Sequence, residues 1–117
     1  MNIEELREYC LSKNGASECF PFDEDTLVFK VGSKMFALSS LEKSCNISLK
    51  CDPDRALQLR EKYSSIIGAF HMNKTYWNYI SINNEISDNF IYELIDHSYE
   101  LVIAKLTKKE REKLQDF

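Results

Sequence analysis

Hydrophobic positions change period along this chain, and the changes mark out its elements. Ile3, Leu6, Cys10 and Leu11 recur at helical spacing and Asn14-Gly15 stops the run, which predicts an amphipathic helix over residues 2–13. SECFPFDED (17–25) reads as a short extended piece, with Pro21 confining it to an edge or a turn. TLVFKV (26–31) alternates as a strand does, Gly32-Ser33 makes a two-residue turn, and KMFALSS (34–40) returns. CNISLKC (45–51) alternates strictly, with Cys45, Ile47, Leu49 and Cys51 on one face.

Asp52-Pro53 then pairs an N-cap acid with proline at the first helical position. The helix it opens is expected to reach about Tyr63, with Ala56, Leu57, Leu59 and Tyr63 available for burial. IIGAFH and YWNYISI are two further extended runs around MNKT, read together as a hairpin. Ser87 and Asp88 open the last long helix, whose apolar face is Phe90, Ile91, Leu94, Ile95, Leu101, Val102 and Leu106. Thr107-Lys108-Lys109-Glu110 is a fresh capping box, so the tail is expected to form a separate short helix.

The expected fold is therefore one α+β domain over 1–117, a two-layer sandwich in the order α-β-β-β-α-β-β-α. Its antiparallel sheet has about five strands, with helices on one face and the other face open. A composition of 44% hydrophobic and 29% charged residues is that of a folded domain. No apolar run approaches the roughly 18 residues needed to span a bilayer. Glu4, Glu5 and Glu8 stand where a signal peptide carries a basic segment, so the expectation is a cytoplasmic protein with no membrane partner. Four cysteines without any C-x-x-C pair fit reduced thiols in a core, with no metal site expected.

Charge divides along the chain. Residues 1–25 carry net −5 and residues 105–117 net +2, against −4 overall. Such a balance opposes binding nucleic acid through bulk charge and leaves room for a local basic patch.

Catalytic signatures are missing: no G-x-S-x-G, no glycine-rich phosphate loop and no H-E-x-x-H, with three glycines in all. The chain is read as a non-enzyme with no cofactor. His97 is read as a partly exposed helix residue without a partner that would make it a base.

The open face holds more. Strand parity sends Ile80 and Ile82 inward and Trp77, Tyr79 and Ser81 outward, with Val28, Lys30, Ser48 and Lys50 facing out beside them. Rings among lysines on an exposed sheet suit base stacking and phosphate contact. Trp77 also has a packing reading, because tryptophan is mostly buried and one bulge reverses parity. His71 and Asn73 can equally serve to shape the hairpin, and KLTKKEREK (105–113), at net +3, can be a solvated helix end.

FPF (20–22), FKVGSKMFAL (29–38), LKCDPDRALQLREKY (49–63), FHMNKTYWN (70–78) and SYELV (98–102) together resemble the MmcQ/YjbR family of small bacterial proteins. The matching motif positions are Lys50, Asp52, His71, Asn73, Lys74, Trp77 and Asn78, and IIGAF lacks the proline expected beside Gly68. The resemblance implies an α+β domain with a sheet like those of frataxin-like and secretion-chaperone-like proteins. It also implies the family's usual description, DNA binding, and brings no catalytic residue set.

Three functions follow as expectations. The first is DNA binding on the open face through Lys30, Lys50, His71, Asn73, Lys74, Trp77 and Tyr79. The second is an adaptor for another protein on the same face. The third, a small-ligand site or enzyme at His71 and Lys74, requires a concave pocket beside the hairpin. A monomer is expected.

Overall fold

The computed structural model describes residues 1–114, so Gln115, Asp116 and Phe117 of the expected domain lie outside the described residues. The chain runs α1 (Ile3–Leu11), β1 (Ala16–Cys19), β2 (Thr26–Val31), β3 (Lys34–Ser40), β4 (Asn46–Lys50), α2 (Pro53–Lys62), β5 (Ile66–Gly68), β6 (Trp77–Ser81), α3 (Asp88–Ile103) and α4 (Lys108–Leu114). The sheet has six antiparallel strands in the order β1-β2-β3-β4-β6-β5. The two-layer α+β reading holds, with one strand more than expected. The start of SECFPFDED, read as a short extended piece, joins Ala16 in β1 and pairs with β2 from Ala16–Val31 to Cys19–Val28. Pro21 follows the strand and spares the ladder a missing donor.

Helix starts are where their caps put them. Asn2, Asp52 and Ser87 accept from the backbone N–H three residues on, at 2.9, 3.2 and 3.2 Å. Thr107 Oγ1 likewise accepts from Glu110 N at 3.1 Å. The Glu110 carboxylate accepts from Thr107 Oγ1 at 3.3 Å and also from Ser33 N at 2.7 Å, tying α4 to the β2–β3 turn. Gly32 in that turn has φ +58°, and a Cβ there would collide with the Glu110 carboxylate.

The main core lies between helices and sheet. Leu27, Phe29, Val31, Ile47, Leu49 and Ile80 meet Leu6, Ala56, Leu59, Ile91, Ile95 and Val102, as strand parity requires. Cys51 belongs to this core and Cys45 packs against it; all four cysteines are free. Leu57, expected to bury, is exposed, because Ala56 and Leu59 form the covered face of α2.

One irregularity positions the later site. Across β2 and β3, Phe29 faces Ala37 and Lys30 faces Met35, so Phe36 has no partner. This bulge turns both Phe36 and Ala37 into the core, and the Phe36 carbonyl takes a side-chain partner from α3. Ser98, buried in mid-α3, donates to that carbonyl at 2.6 Å and accepts from Lys50 N at 2.9 Å. A helix hydroxyl thus continues the β3–β4 ladder, whose registered pairs are Ala37–Leu49 and Leu38–Ser48. His97 beside it accepts from Asp52 N through Nε2 at 3.1 Å. No helix among the described residues is long and apolar enough to cross a membrane.

Candidate functional site

The sheet face away from the helices carries a second, small core. Val28 and Leu38 from the strands, with Trp77 from β6, pack under Ala69 and Met72 of the β5–β6 connection. That connection, residues 69–76, is longer than a tight hairpin and lies over the sheet. Asn73 shapes it: its Oδ1 accepts from Thr75 N at 2.9 Å, and its carbonyl accepts from Trp77 N at 2.9 Å. His71 has φ +61°, a left-handed backbone uncommon for a side chain with a Cβ.

Arg60 of α2 holds the loop from below. Its Nε donates to Asn78 Oδ1 at 2.6 Å, and its Nη2 donates to the Lys74 carbonyl and, at 3.4 Å, to that of Trp77. Asn78 is 2% exposed and donates onward to the Ala56 carbonyl at 3.3 Å. The Lys74 stem rests on Gly68, where an added Cβ would stand 3.1 Å from two of its carbons. A side chain at this position would require the Lys74 stem to shift.

Trp77 therefore sits on the predicted face but is only 8% exposed. Its ring is covered by the loop, which removes it as a direct stacking surface. Of the two sequence readings of Trp77, the packing one describes it. For His71, no side-chain hydrogen bond fixes the loop among the described residues; Asn73 and Arg60 do that.

Beside the loop is a concave cleft of about 380 Å³. Its floor is Leu38, Ser48 and Tyr79, and its walls are Phe22, Phe70 and His71. Phe22 is 64% and Phe70 55% exposed. Lys43, from the β3–β4 turn, holds its ammonium 5.6 Å from the Phe70 ring centre and 5.7 Å from that of Tyr79. Asp23 also lines the cleft, but its carboxylate is spent locally, accepting from Asp25 N at 2.9 Å and Thr26 N at 2.7 Å. Those bonds hold it below the usual carboxylate range.

Lys74 holds its ammonium 6.0 Å from the Phe70 ring centre, whereas Lys30 and Lys50 lie toward the opposite end of the strands. Lys30 is across from Met35, and Lys50 across from Trp77. The Lys50 ammonium lies 6.0 Å from the Tyr76 ring centre. Burial, then Lys105 and Lys34, pull the Lys50 pKa down. The seven expected residues thus fall into three groups: His71 and Tyr79 at the cleft with the Lys74 ammonium beside its Phe70 wall, Lys30 and Lys50 at the far end, and Asn73 and covered Trp77 in or under the loop.

Sequence reasoning missed Lys43, Phe22, Phe70 and Arg60. Phe22 and Phe70 stood within quoted motifs, and aromatic residues flanking turns at strand ends were the available signal. Arg60 had none, since its partner Asn78 is eighteen positions away.

The YjbR family model matches residues 11–101. The Escherichia coli K12 protein named "Uncharacterized protein YjbR" is 32% identical over 115 residues, covering 97% of this chain and 98% of its own length. "Uncharacterized protein YbdF" of E. coli O157:H7 is 38% identical over 98 residues, covering 83% of this chain and 80% of its own. The crystal structure of Deinococcus radiodurans protein DR2400, with a DUF419 domain, superimposes with a TM-score of 0.91 at 36% identity, covering 97% of this chain and 88% of that one. A Pseudomonas syringae protein solved by crystallography superimposes with a TM-score of 0.75 at 27% identity, covering 86% of this chain and 98% of that one. With a family model spanning most of the sequence and a relative matched nearly end to end, this chain belongs to the YjbR family.

Proposed function

We propose that the protein is a non-catalytic, cytosolic binding module for single-stranded nucleic acid, taking an unstacked base in the open-face cleft. The observation that carries this reading is the Lys43 ammonium over Phe70 and Tyr79 at the mouth of a 380 Å³ cleft. A flat ring can lie against Tyr79 and Phe70, and a cation stands where a sugar-phosphate chain would leave. A paired base in a duplex has no route into such a cleft, so single strands are favoured. Four free cysteines, two of them buried, suit a reducing compartment.

The test is fluorescence anisotropy of a labelled oligothymidylate and of a duplex of equal length, at low and moderate salt. The single strand is expected to bind more tightly, with affinity falling as salt rises. Removing one stacking ring, as in Tyr79→Leu, costs about 1–3 kcal/mol, roughly 5- to 150-fold in affinity. Equal affinity for both oligonucleotides, or a Tyr79→Leu variant that binds like the parent, refutes the reading.

One observation favours a protein partner instead. Phe20 and Phe22 are exposed on a loop that also carries Asp23, Glu24 and Asp25, an acid-flanked aromatic surface that repels phosphate. Retention of a partner from nuclease-treated lysate, lost in Phe22→Ser, would support the adaptor.

A further inference from the structure

At the end of β4 the chain gathers positive charge with no partner. Lys50 and Lys105 line a cavity of about 350 Å³ together with Tyr76, Asp52, Pro53 and Leu101. Lys34, at the start of β3, is close enough for its charge to act on Lys50 along with that of Lys105. None of the three lysines forms an ion pair among the described residues. The one carboxylate on the wall, Asp52, is turned to the start of α2, where it accepts from Arg55 N at 3.2 Å.

Two ammonium groups around one partly desolvated space repel one another, and lysine on a surface normally swings into water to escape. Lys50 has less freedom to do so. Its side chain is partly buried and its ammonium lies beside the Tyr76 ring. An anion in the cavity would relieve the repulsion of Lys50 and Lys105, and Lys34 nearby adds to the positive field.

We propose that this cavity is an anion site for a phosphate group, contacted by the ammonium groups of Lys50 and Lys105. The site deepens the nucleic-acid reading and rests on it only for the source of the phosphate. Lys50 stands two residues beyond Ser48 on the same side of β4, and Ser48 lines the cleft. That separation is about 7 Å along the strand. A chain with a base in the cleft can therefore continue over the Lys74 loop toward this cavity. A free phosphorylated small molecule offers the same chemistry.

Amide chemical shifts followed during titration with inorganic phosphate, against chloride at constant ionic strength, test the site. Saturable shifts are expected at Lys50, Tyr76 and Lys105, without matching shifts at Lys108, Lys109 and Lys113. Lys50→Gln and Lys105→Gln are each expected to weaken phosphate about three- to tenfold, and Tyr79→Leu to leave it unchanged. If Lys50→Gln also lowers the salt slope of oligonucleotide binding by about 0.7, the phosphate is that of a strand. Phosphate binding with no oligonucleotide binding keeps the site, assigns it to a small phosphorylated ligand, and sinks the nucleic-acid reading instead. Shifts that never saturate, or that spread equally over the lysines of α4, overturn the site.

Discussion

Removing a single oxygen atom tests the joint between α3 and the sheet. In Ser98→Ala the helix keeps a residue of better propensity and the core loses almost no volume. Two backbone groups lose their partner: the Phe36 carbonyl and the Lys50 N–H. Ser98 is 0% exposed, so water does not reach them without opening the α3–sheet contact. A buried polar group left unpaired costs about 1–3 kcal/mol. Two such groups, less a helical gain of about 0.5 kcal/mol, give a loss of about 1.5–5.5 kcal/mol. At roughly 4 °C per kcal/mol for a domain of this size, the melting temperature should fall by about 6–22 °C. The assay is thermal unfolding by circular dichroism, paired with hydrogen exchange at the Lys50 amide. Exchange there should accelerate more than in the remainder of β4. A melting temperature within about 2 °C of the parent, with Lys50 still protected, would refute the claim that this hydroxyl completes the ladder.

Other consequences follow from the same contacts. Arg60→Met strands Asn78 Oδ1 and frees the loop carbonyls, so it should cost about 2–3 kcal/mol and shift Trp77 emission to the red; Arg60→Lys should not restore stability, because one ammonium cannot reproduce the fork. His97 accepts a proton-bearing amide through Nε2, and burial, then Arg55, depress its pKa. Its neutral form is the folded one, so its contribution is full above the unfolded value of about 6.5 and is lost as pH falls through the lower folded value. Urea midpoints measured from pH 8 to 5 should fall more steeply in the parent than in His97→Asn. The Ser33 backbone N–H, above all, depresses the Glu110 pKa. Its contribution is present above an unfolded value of about 4.3 and disappears below it, so parent and Glu110→Gln should converge in melting temperature by about pH 3. Gly32→Ala strains a left-handed turn and displaces Glu110, costing about 1–2 kcal/mol in the parent and measurably less in a Glu110→Ala background.

Local chemistry determined the elements. Period-two alternation in residues 26–31 and 45–51 set which side chains face the helices, because the pleat allows only two directions. Caps at Asp52, Ser87 and Thr107 set helix starts, because an unsatisfied N–H takes the nearest available oxygen. The motif residues gave the family, and parity put Trp77 and Tyr79 on the correct face.

Only the tertiary structure decided what covers that face. Trp77 is buried because residues 69–76 fold back over it, held by an Arg60–Asn78 contact between elements with no shared local signal. Phe36 turns inward through a bulge that alternation does not encode, and Ser98 of α3 reaches its carbonyl from sixty-two positions away. The cleft and the basic cavity bring together Phe22 with Phe70, and Lys50 with Lys105, from segments distant in the chain. Charge and aromatic area act through space and not along sequence, so such sites form only when the sheet assembles.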